Sequence, residues 1–215
     1  MVIIIASEKG GTGKTTMCTN LAVMRAKKGS DVLLIDADPQ KSSADFVDVR
    51  NEEGNLPDIT CSSIIGRSIK SEVQKIQPKF DDIFIDVGGR DNTSLRSAIV
   101  VADVLVIPFL ASQYDTWGLE RMDDLIDESM AINSNLRAFS FLNKVDSNPK
   151  MDIASESVKL AKSLPNINFK DIHIGYRVAF RRSVAEGLSV TELTGSKKDE
   201  KAILEMDKLY REIFK

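Results

Sequence analysis

The chain has 215 residues, of which 42% are hydrophobic and 28% are charged, and its formal net charge is −3. This composition predicts a single globular domain over residues 1–215 and excludes a polycation, so contact with nucleic acid would need a local basic patch. Two cysteines and one histidine are too few for a disulfide framework or a histidine-based metal site.

Strand-like and helical patterns alternate along the chain. Short apolar runs predict strands at Val2–Ser7, Asp31–Ile35, Ile59–Ser62, Asp82–Ile85, Val104–Pro108, Ala138–Leu142 and Asn168–Ile174. Helical patterns predict helices at Lys14–Lys28, Asp45–Asn51, Ser68–Ile76, Asn92–Val101, Thr116–Ala131, Asp152–Ser163, Ala179–Glu186 and Lys197–Phe214. The alternation predicts an α/β fold, a doubly wound and mostly parallel sheet flanked by helices, whose ligands bind at the carboxyl ends of the strands.

The first connection predicts a phosphate-binding loop. It reads Lys9-Gly-Gly-Thr-Gly-Lys-Thr-Thr16 between the first strand and the first helix. Its glycines let backbone N–H groups turn toward an anion, and the helix directs its positive end there. We expect Lys14 to reach the outer phosphates and Thr15 to bind Mg²⁺. The residues expected to bind nucleotide are Lys9, Gly10, Gly11, Thr12, Gly13, Lys14, Thr15 and Thr16.

The loop departs from the common P-loop at its start. Glu8 stands where that motif has its first glycine, and Lys9 follows as a second lysine. The common motif gives no function for this second lysine, so its function has to be explained separately.

Acidic residues follow two of the other predicted strands. Asp36 and Asp38 follow the second strand, and Asp86 follows the fourth. Asp36 and Asp86 suit the outer shell of a bound Mg²⁺, which takes few direct protein ligands. Asp38 reaches further out, where it can orient a water in line with the γ-phosphate.

Asn143-Lys-Val-Asp146 follows the sixth predicted strand and matches the pattern that reads guanine in GTPases. Four residues are a weak match, and Asn143 can equally contact adenine. We therefore expect Asn143 at the nucleotide and keep ATP as the substrate, with GTP as the alternative.

Together these motifs resemble the deviant Walker ATPases, and most closely the short ParA-type partition ATPases. The resemblance is carried by the loop, by Asp36-x-Asp-Pro-Gln40 and by Asp86-x-Gly-Gly89. It extends to Pro108…Ser112-Gln-Tyr-Asp-x-Trp117 and to a late stretch from Arg177 to Glu192. The sequence begins at its first strand, so we expect no N-terminal helix-turn-helix domain of the kind that longer partition ATPases carry.

The resemblance implies an ATP-dependent homodimer that binds nonspecific DNA and positions a plasmid, a chromosome or another cargo. Lys9 would reach the partner's phosphates, Asp38 would position the attacking water, and Lys14 would complete the catalytic set. Thr15, Asp36 and Asp86 would surround Mg²⁺. A centromere-binding or cargo adaptor protein would stimulate a slow intrinsic hydrolysis.

A basic patch near the C-terminus is the candidate for DNA contact. The segment from Gly175 to Lys215 holds nine lysines and arginines against seven acidic residues. The best candidates are Arg181, Arg182, Lys197, Lys198 and Lys201. The alternative is a solvated surface with internal pairs such as Glu205 with Lys208.

Three other classes of protein share parts of this sequence pattern. A membrane-cycling MinD-like protein needs a basic C-terminal anchor, whereas the apolar stripe of Ile203, Leu204, Leu209, Ile213 and Phe214 predicts a helix packed on the domain. A redox protein like the nitrogenase iron protein needs later cysteines, and none follows Cys61. A scaffold without turnover is disfavoured by Asp38. We expect a cytoplasmic protein that is nucleoid-associated when ATP-bound and makes no stable membrane association.

Overall fold

A computed structural model describes residues 1–89, 92–146 and 151–215. The strands are β1 Val2–Ile5, β2 Val32–Ala37, β3 Thr60–Ser63, β4 Asp82–Val87, β5 Val104–Phe109, β6 Arg137–Val145 and β7 Asn168–Gly175. The helices are α1 Lys14–Ala26, α2 Ser42–Glu53, α3 Ser68–Ile76, α4 Asn92–Ile99, α5 Gln113–Met130, α6 Met151–Ser163, α7 Val178–Ala185 and α8 Glu200–Ile213. Short 3₁₀ helices cover Gln77–Lys79 and Gly195–Lys197.

The seven strands form one parallel sheet in the order β3-β2-β4-β1-β5-β6-β7. The predicted doubly wound α/β sheet is therefore confirmed. The chain reverses its direction of travel across the sheet at β1, which lies between β4 and β5. Ligands of such sheets bind at this reversal, outside the carboxyl ends of the strands.

Each face of the sheet carries its own apolar core, because alternate side chains of a strand point to opposite faces. Ile3 and Ile5 pack with residues of α1, α2, α7 and α8, whereas Val2 and Ile4 pack with residues of α3 to α6. The continuous apolar runs in the sequence reflect this burial on both sides. Cys18 is fully buried in the first of these cores.

Helix α8 belongs to the core rather than to the surface. Met206, Leu209 and Ile213 are fully buried, while Leu204, which the apolar stripe included, is 59% exposed. The predicted helix packed on the domain is confirmed, but it begins at Glu200 instead of Lys197. Asp199 caps it by accepting hydrogen bonds from the backbone N–H groups of Lys201 and Ala202.

In the described part of the chain, no helix combines the length and the apolarity that crossing a bilayer requires.

Candidate nucleotide-binding site

The loop between β1 and α1 forms one wall of an open cavity of about 730 Å³. Gly10, Gly11, Gly13, Lys14, Thr15 and Thr16 line this phosphate cavity from one side, and Asp38, Ser42, Gly88 and Gly89 line it from the other. Gly11 and Gly13 have φ angles of +79° and +93°, a region that glycine adopts without a Cβ clash. The loop thus has the backbone of an anion cradle in front of helix α1.

Lys14 is buried behind the loop. Its ammonium donates a hydrogen bond of 3.0 Å to the carbonyl of Lys9 and packs against Gly89, where an added Cβ would come within 3.0 Å of Nζ. Burial lowers the pKa of Lys14, and the nearby carboxylates of Asp86 and Asp38 partly offset this effect. Because this ammonium is poorly solvated, it interacts strongly with a phosphate that enters the cavity.

Two hydroxyl groups converge on the carboxylate of Asp86. Thr15 Oγ1 donates to it at 2.7 Å and Ser43 Oγ at 2.8 Å. Burial raises the pKa of Asp86 to about 6, against the lowering effect of these two hydrogen bonds. Hydroxyl and carboxylate oxygens are the ligands that Mg²⁺ prefers, so the donor set fits the ion. Among the described residues no three His, Cys, Asp or Glu side chains form a metal cluster.

Asp36 lies beside Asp86 in the sheet register, and both are buried. Its carboxylate accepts three backbone N–H groups, from Asp38 at 3.0 Å and from Ser43 and Ala44 at 2.9 Å each. These bonds start helix α2 at Ser42, earlier than the predicted Asp45. Asp36 therefore has a structural task that the sequence did not indicate, next to the expected metal site.

Asp38 lies at the open side of the phosphate cavity and is partly exposed. Its Oδ1 accepts the backbone N–H of Gln40 at 3.0 Å. Gly88 passes so close that an added Cβ would lie 3.0 Å from Cγ of Asp38. The Gly88-Gly89 pair thus lets the loop after β4 pass between Asp38 and Lys14.

Lys9 is partly exposed, and its ammonium lies 3.2 Å from Oδ2 of Asp115. The Lys9 ammonium also lies 5.4 Å from the ring centroid of Tyr114, which makes an edge-to-face contact with Trp117. Ser112 donates to the same Asp115 carboxylate and caps α5 by accepting the N–H of Asp115. The preceding residue, Glu8, pairs with Arg121 of α5.

Asn143 lies inside β6, and not after a strand as the sequence suggested, because β6 continues to Val145. It is 3% exposed, and its Nδ2 donates to the carbonyl of Thr12 at 2.7 Å. Lys144 has a φ of +52°, and its ammonium donates to the carbonyl of Gly11 at 2.6 Å. Through these hydrogen bonds both residues hold the phosphate-binding loop against β6.

A smaller cavity of about 300 Å³ adjoins the loop and has room for a nucleobase. Gly13, Thr16, Asn143 and Lys144 line one side, and Tyr176, Phe180 and Arg181 line the other. Arg181 lies over the ring of Tyr176, with its Cζ 5.6 Å from the centroid. One residue of the predicted DNA patch therefore borders the nucleotide site.

The other residues of that patch divide into two kinds. Lys197 pairs with Glu186 at 2.7 Å and Lys198 with Glu200 at 2.6 Å. Arg182 and Lys201 are exposed, and no carboxylate of the described residues lies within 4.0 Å of their charged groups. The pair of Glu205 with Lys208, which belonged to the alternative of a solvated surface, does not form, because Glu205 binds Arg177 and the backbone N–H of Gly175.

Sequence reasoning missed three residues of the site, which are Ser43, Asp115 and Lys144. The sequence indicated Ser43 indirectly, because Ser42 and Ser43 precede a helical pattern, as capping residues do. It indicated Asp115 in the same way, because Ser112-x-x-Asp115 has the spacing of a capping box. For Lys144 the only indication was its position in the Asn143-Lys-Val-Asp146 match.

Comparison with known proteins agrees with this geometry. The family model described as the CobQ/CobB/MinD/ParA nucleotide binding domain matches residues 3–190. The maintenance of carboxysome distribution protein A of Halothiobacillus neapolitanus is 26% identical over 195 residues, which cover 89% of this chain and 87% of that protein.

Two solved structures show the same fold. Apo McdA of Cyanothece has a TM-score of 0.79 at 17% identity, covering 100% of this chain and 99% of that one. A putative plasmid partition protein of Borrelia burgdorferi bound to AMPPNP has a TM-score of 0.72 at 20% identity, covering 99% of this chain and 97% of that one.

Proposed function

Since this chain belongs to the CobQ/CobB/MinD/ParA nucleotide-binding family, as a ParA-type member, we propose that it is an ATPase that positions a cargo on DNA. ATP joins two subunits, the dimer binds DNA without sequence preference, and hydrolysis releases it. The cargo is a plasmid, a chromosome or a protein compartment, carried by an adaptor protein that stimulates hydrolysis.

The observation that carries this proposal is the pair of lysines in one phosphate-binding loop. Lys14 is buried and lines the cavity of its own subunit, whereas the side chain of Lys9, in the same loop, is 44% exposed. A cation that stabilises transferred phosphate is effective only when it touches the phosphate oxygens. Lys9 is therefore assigned to the nucleotide of a second copy, docked face to face on this edge of the sheet.

Hydrolysis follows from the residues around the phosphate cavity. The Thr15 hydroxyl would hold Mg²⁺, with Asp86 orienting that hydroxyl, Ser43 orienting the Asp86 carboxylate and Asp36 nearby. The ion would neutralise phosphate charge. Asp38, at the open side, holds and orients the attacking water, and Lys14 stabilises charge on the phosphate oxygens. Because Lys9 arrives only with the partner, turnover depends on dimerisation.

DNA contact is assigned to the exposed C-terminal cations. Arg182 and Lys201 are free of carboxylate partners among the described residues and carry most of this assignment. Lys197 and Lys198 contribute only if they leave Glu186 and Glu200, and Arg181 contributes from the rim of the smaller cavity. The dimer doubles each of these charges, which strengthens a salt-dependent interaction with phosphates.

GTP is a second candidate substrate, favoured by one observation. Asn143 and Lys144 both bond to the phosphate-binding loop, so the Asn143-Lys-Val-Asp146 segment borders the space for the base. Competition of unlabelled ATP and GTP against a fluorescent ATP analogue decides between the two nucleotides. We expect ATP to displace the analogue at a lower concentration.

The proposed function is tested by measuring mass and DNA binding in parallel. Light scattering coupled to gel filtration compares the protein with ATP and Mg²⁺, with ADP and Mg²⁺, and without nucleotide. A labelled duplex of arbitrary sequence is titrated under the same conditions. We expect the protein to be a dimer and to retain the duplex only in the presence of ATP and Mg²⁺. A monomer under that condition, or DNA binding that is equally strong with ADP or without nucleotide, contradicts the proposal.

A further inference from the structure

A third cavity, of about 600 Å³, lies at the opposite end of the sheet from the nucleotide site. Its walls are the start of β6, the end of α6, the start of β7 and the end of α8. These are the amino ends of the strands, whereas the phosphate-binding loop and Asp38 lie at the carboxyl ends. This basic cavity is therefore separate from the nucleotide and from the face assigned to the second subunit.

Cations from three different elements line the basic cavity. Arg137 comes from β6, Lys162 from α6 and Lys170 from β7, and Glu212 is the one carboxylate among the lining residues described. Glu212 binds Lys170 at 3.0 Å and also binds Lys215. Partial burial opposes ionisation of Glu212, but the bonds from Lys215 and Lys170 prevail and lower its pKa. The lining thus holds three cations and one carboxylate, and that carboxylate pairs with only one of the three.

Arg137 and Lys162 have no carboxylate within 4.0 Å among the described residues. The Nη2 of Arg137 donates a hydrogen bond of 3.3 Å to the carbonyl of Ile213, which leaves further guanidinium N–H groups free for a ligand. The ammonium of Lys162 lies 5.8 Å from the ring centroid of Phe169 and is exposed. In contrast, Lys197 and Lys198 of the C-terminal patch are already paired.

We propose that the basic cavity binds backbone phosphates of DNA. The inference rests on the proposed DNA-dependent function and adds a contact surface to it. The overall charge of the chain is −3, so attraction of a polyanion depends on local excesses of this kind. Arginine and lysine at phosphate oxygens are the common sequence-independent contacts to DNA. The apolar walls formed by Phe139, Leu164 and Pro165 can pack against the deoxyribose.

The geometry favours a strand of DNA over a free phosphate ion. The cations belong to separate elements on the rim of a cavity far larger than one phosphate group, and Arg137 and Lys162 are both exposed. A site for a single ion would enclose it with buried donors.

The test neutralises the two unpaired cations and compares a matched control. Arg137→Gln with Lys162→Gln removes one arginine and one lysine from the basic cavity. Arg67→Gln with Lys70→Gln removes the same types from exposed positions at and beside α3, which connects β3 to β4 at the other side of the sheet. Binding of a labelled duplex is measured with ATP and Mg²⁺ at several salt concentrations, with and without inorganic phosphate as competitor.

We expect the cavity variant to bind the duplex about tenfold more weakly at fixed salt, and the slope of log K against log salt to fall by about 1–2. The control keeps the wild-type values, and both variants keep the basal ATPase rate. Equal DNA binding by the cavity variant and the control would overturn the inference. So would full competition by inorganic phosphate at low millimolar concentration, because the site would then serve a free anion. If the wild-type protein itself retains no duplex, the proposed function fails, which is a distinguishable result.

Discussion

The ammonium of Lys9 lies 3.2 Å from the carboxylate of Asp115 within the same chain. The lysine assigned to a partner's nucleotide is therefore held on its own subunit. Asp115 is buried and bonded to Ser112 at the start of α5, whereas the side chain of Lys9 is 44% exposed. A second subunit that uses Lys9 must first separate these two groups.

Asp115→Asn should strengthen ATP-dependent dimerisation. The amide keeps an oxygen for Ser112 and removes the charge that holds Lys9. A pair with one exposed member is worth about 0.2–1 kcal/mol, and a dimer separates two such pairs, so we expect dimer affinity to rise by about 2- to 30-fold. Sedimentation equilibrium with ATP and Mg²⁺ measures it. Asp124→Asn, an exposed position on the same helix, is the control. Weaker dimerisation in Asp115→Asn would show that Asp115 supports the active position of Lys9.

Asp38→Ala should stop turnover and leave nucleotide binding intact. Its carboxylate lies at the open side of the phosphate cavity and makes one local bond, to the backbone of Gln40, so its loss costs the fold little. Removing a group that orients or activates the nucleophile costs about 100-fold or more in rate. Phosphate release measures the rate, and gel filtration with ATP measures the dimer. Asp48→Ala, exposed on α2, should hydrolyse ATP normally. Normal hydrolysis by Asp38→Ala would remove Asp38 from the catalytic set.

Asp86 should make the stability of the metal-free protein depend on pH. Its pKa is raised from 3.8 to about 6, chiefly by burial. Its stabilising contribution is complete below pH 4 and is lost as the pH rises through 6, because the native state then has to release a proton that it holds tightly. The total change is on the order of 3 kcal/mol.

The matched measurement uses Asp86→Asn, which cannot ionise. Thermal unfolding is followed in EDTA without nucleotide between pH 4 and pH 7.5. We expect the melting temperature of Asp86→Asn, relative to wild type, to increase between pH 4 and about pH 6 and to level off above that. A constant difference between the two proteins would mean that the pKa of Asp86 is not raised.

Glu192→Ala should destabilise the fold strongly. Arg50 of α2 is 2% exposed, and its two terminal nitrogens bind the two carboxylate oxygens of Glu192 at 2.9 and 3.0 Å. Removing the carboxylate leaves a buried guanidinium without a counter-charge, at a cost of about 3–5 kcal/mol.

Urea unfolding compares Glu192→Ala with Glu186→Ala. Glu186 pairs with the exposed Lys197, so its loss should cost at most about 1 kcal/mol. Equal costs for both variants would contradict the assigned importance of the Arg50 pair.

Most of the sheet could be predicted because its strands are short apolar runs with polar residues at their carboxyl ends. The first and last residues of the helices and strands were harder to predict, because contacts with distant segments determine them. Helix α2 begins at Ser42 because the carboxylate of Asp36 binds two amides at its start, and β6 continues through Asn143 because its backbone pairs with β7 as far as Val145 and Gly175.

The candidate site was predictable where one local motif contains the chemistry, as from Lys9 to Thr16. It was not predictable where partners come from distant segments. Nothing in the local sequence of Asp115 indicates that it faces Lys9, and nothing near Arg137 indicates that Lys162 lies across a cavity from it. Such pairs arise only when the crossover connections bring separate strands side by side.

Lys9 of each subunit is assigned to the nucleotide of its partner. Mixing Lys9→Ala protein with Asp38→Ala protein tests this assignment, because each is expected to be inactive alone. In a mixed dimer, the site of the Lys9→Ala subunit keeps its own Asp38 and receives Lys9 from its partner. At equal concentrations, hydrolysis should therefore return to about a quarter of the wild-type rate, as half of the dimers are mixed and one of their two sites is complete. A mixture as inactive as its two components, with mixed dimers present, would contradict the account.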